Sequence, residues 1–172
     1  MRSGIAVALP NGMVATAALL RAATASLAPA ATEVSVTLPV PATVAFEVFA
    51  DAAETPRWLS AVESAHVLSR TTAGRPRAVA FRAAFDRGSL GYVLHYEHEP
   101  ELLTVRWATA ASSALTVAGQ ARFTGLSPRA CLMWYRLALE LPVDPNWLAL
   151  HYDGHAASAV VGDFREHLRR LA

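Results

Sequence analysis

The side chains best suited to chemistry in this sequence are tyrosines set among apolar residues and one arginine in an apolar run. Tyr92 and Tyr96 lie four apart in the alternating stretch 90–97, with Leu94 between them, so all three belong on one face of a strand. Arg136 follows Leu132 and Trp134 at the same two-residue spacing. If that set faces inward, a guanidinium enters an apolar concavity, where lacking a partner would be costly. Its planar fork would suit a carbonyl, enolate or carboxylate, and Tyr96 or Tyr92 would exchange protons with the same molecule. A one-residue slip gives the opposite arrangement, with Met133, Tyr135, Leu137 and Leu139 inside and Arg136 outside. The working expectation is the inward Arg136.

Other chemistries find less support. Of the six histidines, His151 and His155 share a helical face, but the stretch His-Tyr-Asp-Gly-His lacks the carboxylate of a metalloprotease motif. We therefore expect no metal and no cofactor. His95 and His98, near Glu97 and Glu99, read as a solvated strand face and turn. There is no Gly-x-Ser-x-Gly elbow and no glycine-rich phosphate loop. Cys131, the single cysteine, sits beside Leu132 and Met133 as an inert buried thiol and excludes an intrachain disulfide.

The elements that must position these residues follow from periodicity. Residues 33–38 alternate as a strand, and Pro39 and Pro41 then open a short helix with Val44, Phe46, Val48 and Phe49 on its apolar side. Asp51 caps a second short helix leading to Trp58. Six strands are expected next, over 62–70, 78–85, 90–97, 102–109, 115–123 and 130–141, joined by tight turns as in a meander. From Pro145 the period becomes helical, with Leu148, Tyr152, Ala156, Val160, Phe164, Leu168 and Leu171 on one side. The result is an α+β fold, a seven-stranded curved antiparallel sheet around a long C-terminal helix.

All 15 basic residues are arginine and scattered, and the net charge of +1 creates no field for nucleic acid. No apolar stretch is long enough to cross a bilayer, so no stable membrane insertion is expected. Residues 1–32 form an Ala-rich extension, expected to be flexible and separable from a domain over 33–172. Pro10, Asn11 and Gly12 interrupt its apolar run, which favours a cytoplasmic protein over one exported by a signal.

This order of elements, with several short segments, resembles the START-like (SRPBCC) superfamily, and within it the polyketide cyclase/dehydrase and coenzyme Q-binding group. The segments are 36–42, 46–51, Pro56-Arg57-Trp58-Leu59, 92–96, Thr104-Val105-Arg106-Trp107, Gly119 with Phe123, and 164–171. The resemblance implies a helix-grip fold and a cavity for an apolar, ring-bearing molecule such as a polyketide, quinone or lipid. The expected lining is Trp58, Phe81, Phe85, Tyr92, Leu94, Tyr96, Trp107, Phe123, Trp134, Arg136, Tyr152, His155 and Ala156. Aromatase/cyclases of this group carry a tyrosine and an arginine where this chain has Val62 and Tyr96, which weakens a catalytic reading. Three roles stay open: a monomeric or dimeric binding module, a cofactor-free cyclase/dehydratase, or an interaction protein with a vestigial pocket.

Overall fold

The computed structural model describes residues 31–85, 88–113, 115–140 and 156–171. Strand β1 (Thr32–Leu38) leads into helix α1 (Ala42–Ala50) and a 3-10 helix (Ala52–Arg57). Strands β2 (Val62–Arg70), β3 (Pro76–Phe85), β4 (Gly88–Glu99), β5 (Thr104–Thr109), β6 (Thr116–Ser127) and β7 (Ala130–Glu140) follow. Helix α2 (Ala156–Leu171) completes the described chain. The expected extension over 1–32 falls outside the described residues up to residue 30, as do the first turns of the expected helix from Pro145.

The seven strands form one antiparallel sheet in the order β1-β7-β6-β5-β4-β3-β2. The meander places sequential strands side by side, and β1 closes the order by pairing with β7 from Thr32↔Leu137 to Leu38↔Cys131. Register shifts in β2 between Val62/Ser64 and Val67/Ser69 let that edge bend. One face is apolar and wraps α1 and α2, and the core runs through Phe46, Phe49, Val105, Phe123, Met133, Phe164 and Leu168.

Phe49 is the hub of this core. Its ring lies 5.3 Å from Phe164, 5.6 Å from Trp107, 5.7 Å from Trp58 and 5.8 Å from Phe123, centroid to centroid. These tilted and edge-on contacts favour the ring quadrupoles and tie α1, α2 and the sheet together. Arg75, in the β2–β3 turn, grips Glu47 of α1 through two bonds of 2.8 and 2.9 Å and lies 5.1 Å above the Phe46 ring.

Two expectations are corrected. On β7 the buried residues are Cys131, Met133, Tyr135 and Leu137, so Leu132, Trp134 and Arg136 face the convex side. Cross-strand pairing supplies the reason: Arg136 stands beside Glu33 on β1 and Gln120 on β6, Gln120 beside Arg106, and Arg106 beside Glu97. A guanidinium is far better placed in this row of complementary polar groups than in an apolar cavity. On α2 the buried stripe is Ala157, Val161, Phe164 and Leu168, and Leu171 is 61% exposed rather than packed.

Candidate functional site

A cavity of about 250 Å³ lies between the concave face of the sheet, the 3-10 segment and α2. Phe81, Tyr92, Leu94 and Tyr96 form one wall from β3 and β4, and Trp107 continues it on β5. Val117, Tyr135, Leu137 and Leu139 form the wall from β6 and β7. Phe49, Thr55, Trp58 and Leu59 close one end, and Ala156, Ala159, Val160 and Asp163 of α2 lie opposite the sheet. Two-residue alternation puts Tyr92, Leu94 and Tyr96 on the same face, as the spacing predicts.

The lining is aromatic and aliphatic with few polar tips. Phe81 stacks on Tyr92 at 5.6 Å, and Trp107 lies 5.5 Å from Tyr135. Gly119 lies beneath Trp107: a Cβ there would collide with the indole ring and come within 2.7 Å of the Arg136 carbonyl. The room left by this glycine is thus taken up by the tryptophan, which lies flat against β6. Among the described residues the buried indole Nε1 of Trp58 has no hydrogen-bond partner, a desolvation cost offset by ring packing on Phe49 and Phe164.

Three phenols, Tyr92, Tyr96 and Tyr135, share the cavity. Tyr135 is 3% exposed, whereas Tyr96 keeps some accessible surface. Burial pushes the phenol of Tyr96 well above its usual range, and the neighbouring Tyr92 and Tyr135 add to the shift. Burial does the same for Tyr135, with a smaller effect of Tyr92. Both are therefore neutral at physiological pH and suited to donating hydrogen bonds, not to acting as bases. Below Tyr96, His98 stacks on its ring at 6.1 Å and its Nε2 lies 3.3 Å from the Ala50 carbonyl, while burial lowers its basicity.

Asp163 is the only charged residue among the described lining. Its Oδ2 accepts from both the backbone N–H and the hydroxyl of Ser60, at 3.0 and 2.8 Å, which ties the chain after the 3-10 helix to α2.

The structure brings together Trp58, Phe81, Tyr92, Leu94, Tyr96, Trp107 and Ala156 from the expected lining. Phe123 is instead core, packed against Phe46, Phe49 and Phe164. Trp134 and Arg136 lie on the convex face; the Arg136 side chain is 29% exposed, with Nε 3.6 Å from Glu33. Tyr152, His155 and the side chain of Phe85 lie outside the described residues. Sequence reasoning left Tyr135, Leu137 and Leu139 out of the lining, although their apolar alternation with Met133 was the available signal.

A comparison with curated protein sequences gives no match. Solved structures do resemble the fold. A START superfamily protein from Mycobacterium smegmatis is 14% identical, with a TM-score of 0.70 over 83% of this chain and 99% of that one. A protein from Thermus thermophilus is 15% identical, with a TM-score of 0.68 over 83% and 99% of the two chains. An aromatase/cyclase from a Streptomyces species is 14% identical, with a TM-score of 0.63 over 83% and 95%. The family model described as polyketide cyclase/dehydrase and lipid transport matches residues 29–172. This domain, START-like in its helix-grip fold, therefore belongs to the polyketide cyclase/dehydrase and lipid transport family.

Proposed function

We propose that this protein reversibly binds an apolar, ring-bearing small molecule in the cavity between its sheet and α2. The observation that carries the reading is the lining itself: flat aromatic walls on four strands, with phenols among its few polar side chains. Burying a two-ring hydrocarbon frame against such walls is favourable by several kcal/mol, at roughly 25 cal/mol per Å² of apolar area. The family includes lipid transport as well as cyclisation, which agrees with a carrier role.

The enzyme reading is weaker in this chain. Its carbonyl-polarising candidate, Arg136, stands on the convex face, and Tyr96 is a donor rather than a base. The interaction-module reading requires an outer stripe of Met133, Tyr135, Leu137 and Leu139, and those residues face inward. Native mass spectrometry of protein purified from its own host tests the binding reading, with Ala159→Trp as the control. Ala159 lines the cavity from an exposed position on α2, so an indole there obstructs the cavity without disturbing the core. We expect a co-purifying small molecule that is lost in the variant. A wild-type protein without bound mass, or a bound mass unaffected by the tryptophan, overturns the proposal. Conversion of that molecule to a cyclised product on incubation would favour the enzyme.

A further inference from the structure

We infer that the bound molecule is uncharged and presents a carbonyl-type oxygen to the hydroxyls of Tyr96 and Tyr135. This deepens the binding reading above and rests on it. Both tyrosines line the cavity, Tyr96 from β4 and Tyr135 from β7, so two phenols reach it from different strands. Among the described residues neither hydroxyl has a hydrogen-bond partner, and neither is sealed off as a buried orphan, so both stay open to the cavity. A hydroxyl open to an enclosed cavity pairs with whatever fills it, because leaving it dry is costly. In a cavity with such walls, the natural partner is the occupant. Two phenols also match one carbonyl oxygen, whose two lone pairs accept two donors.

Charge completes the argument. The described lining contains no cation to balance an anionic ligand, and Asp163 adds a carboxylate at its edge. Against the described lining, a carboxylate-bearing ligand would lose its hydration, meet neutral donors only, and face a like charge. Phenols can stabilise a neutral carbonyl without any counter-ion. The cavity therefore selects ketones, quinones and similar neutral ring molecules over fatty or aromatic acids.

The test uses three probes of similar shape, 2-acetylnaphthalene, 2-ethylnaphthalene and 2-naphthoic acid, titrated calorimetrically into the full chain at neutral pH. Comparisons are made between wild type and the Tyr96→Phe/Tyr135→Phe double variant, which keeps both rings. We expect the ketone-to-hydrocarbon affinity ratio to fall about tenfold in the double variant, from losing two hydrogen bonds. Hydrocarbon affinity should hold or improve, and the acid should bind wild type at least about tenfold more weakly than the ketone. A ratio unchanged within about twofold, or an acid bound as tightly as the ketone, overturns the inference while leaving the binding reading standing. No binding of any probe overturns the binding reading itself. If the double variant fails to fold, the infrared carbonyl stretch of the ketone bound to wild type decides. A shift below its frequency in hexane supports the hydroxyl contacts, and an unshifted band overturns them.

Discussion

Arg136 and Gly119 show how little a residue's type reveals until its cross-strand neighbours are known. Arg136 stands on the convex face between Glu33 and Gln120, so Arg136→Leu should leave ligand affinity unchanged. Its ion pair with Glu33 is partly solvent-exposed and spans 3.6 Å, worth about 0–1 kcal/mol. Titrating 2-acetylnaphthalene into the variant and following its melting together checks both halves; a clear loss of affinity would return Arg136 to the site. Gly119 is the opposite case. Gly119→Ala adds one methyl against the Trp107 indole and the Arg136 carbonyl, and backbone cannot yield cheaply. Overpacking of this kind costs about 1–3 kcal/mol. Because Trp107 lines the cavity, the same variant should weaken binding, and its near-ultraviolet circular dichroism should change. A variant with wild-type melting and affinity would mean the strand can shift to accommodate it.

At the scale of elements, Asp163 joins α2 to the segment that carries Trp58. Asp163→Ala removes the acceptor of two hydrogen bonds, so we expect stability to fall by about 1 kcal/mol. We also expect ligand dissociation to accelerate more than association changes, because the bonded pair holds two sides of the cavity together. Stopped-flow kinetics read this directly, and Asp163→Asn, which keeps an acceptor oxygen, should restore much of the effect. An unchanged dissociation rate would make the pair purely structural. The elements themselves were largely legible. Alternation and turn residues located all seven strands, since period two and Gly/Pro punctuation are local signals. Register on β7 was not, because Leu132 and Trp134 make one face nearly as apolar as the other. What decides it is the Glu33–Arg136–Gln120–Arg106–Glu97 row, contributed by five strands, which no local window contains. The helix stripe shows a related error. Stepping by four residues turns about 40° past a full circle each time, so the run from Leu148 drifts across the helix. The stripe that packs alternates steps of four and three, Ala157, Val161, Phe164 and Leu168. Phe164 and Leu168 are common to both sets and are fully buried.

For the whole molecule, buried titratable groups set a pH window for stability. On the alkaline side, burial raises the phenols of Tyr96 and Tyr135 from an ordinary value of 10.0, and the thiol of Cys131 from 9.0. Below those ordinary values both folded and unfolded chains hold the protons, and the contribution is fully present. Above them the unfolded chain releases protons that the folded chain retains, so the equilibrium moves toward unfolding. Each such group removes up to about 1.4 kcal/mol per pH unit until its folded value is reached. On the acid side, burial lowers His98 from 6.5, outweighing the raising effects of its contact with the Ala50 carbonyl and of Glu47; Arg75 lowers it further. Here the unfolded chain takes up a proton first, so stability falls as pH drops below that value. We therefore expect maximal stability between about pH 6.5 and 9. Melting temperature measured across about pH 5 to 11 in constant ionic strength checks the shape. Tyr96→Phe/Tyr135→Phe should flatten the alkaline limb, and His98→Gln the acid limb. In the wild type, phenolate absorbance should show two tyrosines ionising only as the chain unfolds. Ionisation of every tyrosine near its ordinary value in the still-folded protein would mean that water reaches both cavity phenols freely, and the steep alkaline limb would then be absent.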